Sequence, residues 1–309
     1  MTTTSGAAGQ PGAGTQAMTP SGGAGSGAGG QAGAGGTASA MAGNAGVGGS
    51  GGSAGLANTG GTSGAAGSGG AGGAANDGWV KIFNGVDLTG WKAKITHYAY
   101  GDNYANTFRV QDGKLRVDYS DYQPYTWQGR FGLIYWEKPL KKYQLRVEYH
   151  FYGEQIPDPP DWGLRNSGVM IFGEDPAGVG KDVEFPRILE LQMLAHDNKG
   201  NTSNGNLCPL NGASAIIGTT RQSGGCVGST SKPFAQNPLF QNDDWIKVLV
   251  DVDPAGPTKL YFDGDNDGNP VLVFTQPQAG GVALTGGYLA LQSESFPVEF
   301  RNIELKEAP

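Results

Sequence analysis

The chain has 309 residues, 55 of them glycine, and a formal net charge of −7 at pH 7. That negative balance, with no basic stripe carrying interleaved aromatics, argues against nucleic acid as a partner. No apolar run approaches the length of a membrane-crossing helix.

Residues 1–76 hold 28 of the glycines, no Asp, Glu, Lys or Arg, and no aromatic residue. Such a segment has almost nothing to bury and cannot offset the entropy of ordering its backbone. It reads as a disordered Gly/Ala/Ser-rich tether, with an end-to-end reach of roughly 50 Å. Glycine does not recur at every third position, so collagen does not fit. The opening "MTTTSGAAGQ" has neither the basic nor the apolar region of an export signal, and the expectation is that one has been removed. A long uncharged tether suits a protein held at a surface or by a lipid anchor, standing its domain off from a membrane.

The folded domain is expected over 77–309. Its strong signals have period two, and in chain order they fall at 114–120, 143–152, 167–173 and 187–194, then at 245–253, 259–265, 270–276, 287–294 and 297–306. Gly, Pro, Asn and Asp clusters separate them, and no segment shows ten or more residues of helical periodicity. That pattern predicts antiparallel sheets closed face to face, an all-β sandwich or jelly roll. Between the fourth and fifth of these strands lie Cys208 and Cys226. One pair without a nearby His pair is too little for zinc, and a disulfide clamping the loop is preferred to two unlinked thiols. A disulfide also agrees with export. Further on, Asp263, Asp265 and Asp267 followed by Gly268 match the first half of a calcium loop, but Phe274 stands where the bidentate Glu belongs. A hairpin turn is the preferred reading, and calcium remains the alternative.

Six segments carry a family resemblance: "WVKIFNGVDLTGW" (79–91), "FRVQDGKL" (108–115), "LRVEYHF" (145–151), "RNSGVMI" (165–171), "FPRILELQML" (185–194) and "GGYLALQSESFPVEFRNIEL" (286–305). Together they resemble the 3-keto-disaccharide hydrolase family, long classed as a domain of unknown function. The resemblance implies a concanavalin-like or laminarinase-like jelly roll with a concave sugar-binding face. It also implies hydrolysis of glycosides oxidised to a ketone at C3. Many members carry an acidic residue where this chain has Ala195, with His196 and Asp197 beside it.

A ketone at C3 acidifies the hydrogen on C2. A base removes it, the enolate expels the C1 substituent, and water adds back at C1. Such a site needs one base, a group for the enolate oxygen and an acid for the leaving oxygen. It does not need the paired carboxylates of an ordinary glycosidase. In strand alternation Glu148 and His150, Glu190 and Gln192, and Gln292 and Glu294 each share a face of their strand. If those faces converge, Glu190, Glu148 and His150 are the candidate catalytic groups, with Glu190 the foremost as a base in an apolar strand. Arg165, Asn166, Gln192, His196, Gln292, Glu294 and Trp162 are then the candidates for holding an oligosaccharide or glycoside. A divalent metal steadying the enolate is compatible with the same groups, and the sequence specifies no cofactor. The alternative reading is a lectin-like carbohydrate-binding module without catalysis.

Overall fold

The computed structural model describes residues 77–195, 204–228, 245–262 and 268–308. The tether reading of 1–76, His196 and the Asp263, Asp265, Asp267 loop fall outside the described residues.

The domain is an all-β jelly-roll sandwich of two antiparallel sheets. An 11-stranded sheet runs in the order β11 (Thr220–Gln222), β10 (Ala213–Ile217), β14 (Leu272–Ala279), β13 (Thr258–Phe262), β12 (Ile246–Val252), β6 (Tyr143–Phe151), β17 (Val298–Glu307), β4 (Lys114–Val117) and β3 (Phe108–Gln111). Two short strands join it, β1 (Val80–Lys81) on β17 and β15 (Val282–Ala283) on β14. A 6-stranded sheet follows the order β2 (Trp91–Ile95), β5 (Gly132–Trp136), β16 (Tyr288–Ser293), β7 (Asn166–Gly173), β8 (Ile188–Leu194) and β9 (Leu207–Leu210). Among the described residues the helical content is two short 3-10 turns, so none of their helices is long and apolar enough to cross a membrane.

Alternation explains how the sheets meet. On β6, Tyr143, Leu145, Val147, Tyr149 and Phe151 are buried, while Gln144, Arg146, Glu148 and His150 face outward. On β8, Leu189, Leu191 and Met193 enter the same core between the sheets. Each such fully buried aliphatic contributes about 1.5–3 kcal/mol by leaving water. The nine period-two segments all form strands; β1, β2, β3 (Phe108–Gln111), β5, β9–β11 and β15, shorter or interrupted, are not visible as such in the pattern.

The 6-stranded sheet departs from the usual solvated outer face. Leu133, Tyr135, Met170, Ile188 and Ala290 form a second buried cluster there, with Tyr100, Leu210 and Tyr288 packed against it. That is why β7 is buried at every position and β8 at all but Gln192 and Leu194, which are half-buried. Cys208 on β9 and Cys226 form a disulfide, and Cys208 pairs directly across from Glu190.

Candidate active site

The covered outer face of the 6-stranded sheet is where charge is buried. Glu190 on β8 is 5% exposed, and Glu294, just past the end of β16, is 3% exposed. β7 runs between β8 and β16 and leaves space for Glu190 at Gly168. A methyl group on Gly168 would lie 2.8 Å from Cγ and 2.9 Å from Oε1 of Glu190. The glycine of "NSG" therefore serves close approach by a side chain rather than a special backbone conformation.

Both carboxyls are pushed toward their neutral forms. Burial raises Glu190 well above the usual carboxylate range, and the nearby Glu294 charge raises it further. Burial pushes Glu294 up to about 7, against the lowering influence of the Trp162 indole and the Gln292 amide. Trp162 Nε1–H donates to Glu294 Oε1 at 2.8 Å, while the rest of its residue is 61% exposed. Near neutral pH the pair thus carries about one proton more than two ordinary carboxylates would, a proton the two carboxyls hold between them. A proton donor and a proton acceptor stand together in a dry environment.

Around the pair the polar side chains are held in a chain. Asn206 Nδ2 donates to Gln192 Oε1 at 2.7 Å, Gln192 Nε2 donates to Asn166 Oδ1 at 3.3 Å, and Asn166 Nδ2 donates to the Trp162 carbonyl at 3.2 Å. This links β8 through β7 to the Trp162 loop. The loop also presses on the Glu294 corner: a methyl on Gly163 would sit 2.4 Å from Ser295 Oγ, and Ser295 takes the left-handed φ of 72°. Gln292 is 1% exposed, and neither amide atom makes a hydrogen bond of ordinary geometry among the described residues, although it lies close enough to influence Glu294. Arg165, at φ 45°, accepts from Ala195 N–H through its carbonyl and sets its guanidinium 5.8 Å from the Phe296 ring centre.

Glu190, Gln192, Asn166, Gln292, Glu294 and Trp162 are therefore gathered on one side of one sheet. Glu148 and His150 are not with them. They lie on β6, in the other sheet, on its outer face, so the core separates them from Glu190. The three polar strand faces do not converge, because β6 sends its aliphatic side inward to face that of β8. Glu148 accepts from Arg301 Nε at 2.7 Å and Asn302 Nδ2 at 2.9 Å. His150 Nδ1 stands 3.4 Å from Glu299 Oε1. Trp127 belongs to the core.

Sequence reasoning missed Lys94. The register places Lys94 across from Leu133, and Leu133 across from Gln292, so all three point to the same face. Its ammonium donates to the carbonyls of Ile95 and Lys181, and burial pulls its pKa down. The alternation of Lys92 and Lys94 with apolar residues in "WKAKI" was the available signal. Among the described residues no three His, Cys, Asp or Glu side chains are grouped to hold a metal ion.

A family model described as a 3-keto-alpha-glucoside-1,2-lyase-like domain matches residues 78–306. Among solved structures, a candidate glycosyl hydrolase from Parabacteroides distasonis ATCC 8503 is 17% identical, with 75% of this chain and 94% of that chain covered and a TM-score of 0.45. A Bacillus subtilis protein of unknown function with a galectin-like fold is 9% identical, with 71% and 90% covered and a TM-score of 0.39. No curated protein matches the chain.

Proposed function

Since the chain belongs to the 3-keto-alpha-glucoside-1,2-lyase-like family, we propose that it cleaves 3-keto-glycosides at the Glu190–Glu294 pair. The observation that carries the reading is the burial of two carboxyls on one sheet face, with Glu294 pushed up to about 7 and Glu190 higher than usual. Paired titratable groups whose surroundings separate their proton affinities are how one site holds an acid and a base at once.

Ionised Glu294 takes the C2 hydrogen, and the electron pair moves into the enolate of the C3 ketone. The Gln292 amide, with no ordinary hydrogen bond of its own among the described residues, supplies a donor for the enolate oxygen. The enolate expels the C1 oxygen, which takes the proton of neutral Glu190, leaving a C1–C2 double bond and the ketone restored. Hydration reverses the roles. Glu190, now ionised, takes a proton from water as its oxygen bonds to C1, and Glu294 returns its proton to C2. The sum is hydrolysis of the glycoside, and release after the first half would make the protein a lyase. Glu190, expected from the strand pattern as the base, becomes the acid in this reading.

The test is to mix the protein with a 3-keto-disaccharide and follow release of the leaving sugar. Cleavage is expected, with Glu190→Gln and Glu294→Gln each slower by roughly 100-fold or more and both still folded. A wild-type protein that binds the sugar and never cleaves it would replace this reading with the lectin-like one, for which the exposed Trp162 ring is the supporting observation. The disulfide and a carbohydrate-directed fold support export to an oxidising compartment, with 1–76 as tether.

A further inference from the structure

On the far side of the molecule, the outer face of the 11-stranded sheet holds a groove of about 740 Å³ lined by Arg146, Glu148, Leu249, Tyr261, Asn302 and Glu304, among others. Its size is that of a ligand site. A second hollow of about 370 Å³ shares Asn302 and continues to Lys114 on β4. Together they cross β13, β12, β6, β17 and β4, four strand spacings or about 19 Å, at right angles to the strands. We propose that this trough binds an extended, uncharged glycan chain, as a site separate from the Glu190–Glu294 pair.

The strand registers order its floor into two rows. Tyr261 pairs with Leu249, Leu249 with Arg146, and Arg146 with Glu304, which puts an aromatic and an aliphatic surface beside a polar one. In the adjacent row Lys247 pairs with Glu148, and Glu148 with Arg301. A sugar ring has the same two sides, carbon-bound hydrogens on its faces and hydroxyls at its rim. The charged groups are fixed by one another. Glu148 is gripped by Arg301 and Asn302, and the Arg146 guanidinium lies 3.8 Å from the Trp79 ring centre and 4.0 Å from Glu304. The strand register of β17 shifts between Arg301 and Glu304, where Asn302 takes φ 50° and turns its amide onto Glu148. Such irregularities re-aim side chains at sites. Each Glu148 oxygen accepts one bond in this grip, and a carboxylate has capacity for about four, so acceptors remain for ligand hydroxyls. Arg146 and Arg301 each face a carboxylate, and the lysines that also line the two hollows, Lys81, Lys114 and Lys247, are why an anionic polysaccharide is the comparison in the test. An extended peptide would want a free sheet edge, whereas this trough crosses a sheet face.

The inference does not rest on the hydrolase reading, and its test does not use turnover. The full chain is run in native gels containing a soluble β-glucan, xylan or starch, with heparin as the anionic comparison. Retardation by at least one neutral polysaccharide is expected. Tyr261→Ala should weaken it by roughly tenfold, and Tyr261→Phe, which retains the ring, should restore most of it. Glu190→Gln should be retarded like the wild type, and Tyr261→Ala should cleave a small 3-keto-disaccharide, if the wild type does, at an unchanged rate. No retardation by any neutral polysaccharide, retardation by heparin alone, or retardation lost in Glu190→Gln but retained in Tyr261→Ala would each overturn the proposal.

Discussion

Trp162 contributes two separable things, an exposed ring and an N–H that holds Glu294 at 2.8 Å. Trp162→Phe retains a ring and removes the donor, so the ionised form of Glu294 loses support and its pKa rises. The acidic limb of a kcat/KM–pH profile should therefore move to higher pH, while KM changes little. A profile superimposable on the wild type would remove the indole N–H from the mechanism. Gly168 makes a complementary case. Gly168→Ala places a methyl 2.8 Å from Glu190 Cγ on buried backbone, so the carboxyl must shift. Turnover should fall by roughly 100-fold, since about 1 Å of misplacement is enough for that, with a stability loss of about 1–3 kcal/mol. An active Gly168→Ala protein would show that Glu190 is not needed where it lies. The sequence displayed Glu190 as an acid in an apolar strand. It did not display Gly168 as its cradle, because the two meet only across paired strands.

At the scale of elements, β8 and β9 illustrate the same limit. The alternation of "ILELQML" was enough to separate Leu189, Leu191 and Met193 from Ile188, Glu190 and Gln192, and the structure sends the first set into the main core. It was not enough to show that the second face is covered as well. That cover comes from Tyr100, Leu210 and Tyr288, which are remote in sequence. The disulfide belongs to this wall, since Cys208 lies across from Glu190. Closing a loop of 18 positions is worth about 3 kcal/mol in the chain-entropy model. Reduction, or Cys208→Ser with Cys226→Ser, should lower Tm by several degrees, read by calorimetry with and without reductant. An unchanged Tm would mean the clamp contributes nothing to the folded state.

For the molecule as a whole, burial of Glu294 makes stability depend on pH. Its folded pKa of about 7 lies above the ordinary 4.5, so the folded state binds more protons than the unfolded one between those values. The contribution is full below pH 4.5 and is lost as pH rises to about 7, on the order of 3 kcal/mol. Urea unfolding at pH 5 and pH 8 should show the decline, and Glu294→Gln should reduce it, leaving the part that buried Glu190 contributes; an equal decline in that variant would place the cause elsewhere. A chain beginning at Asp77 is expected to match the full chain in Tm and in turnover, because 1–76 have no charged or aromatic side chains and few large apolar ones with which to stabilise a fold. A drop of several degrees in Tm would overturn the tether reading.

Composition and period-two patterning were sufficient for the all-β class, the strand order along the chain and the faces of the long strands, because each depends on local alternation between apolar and polar residues. Which strands share a sheet does not depend on local alternation. Glu148 on β6 and Glu190 on β8 have the same surroundings in sequence, a carboxylate between apolar neighbours. One became a solvent-side partner of Arg301 and Asn302, and the other a buried acid beside Glu294. Pairing between distant strands made that difference, by setting which face was covered and which charges came close enough to shift one another's protons.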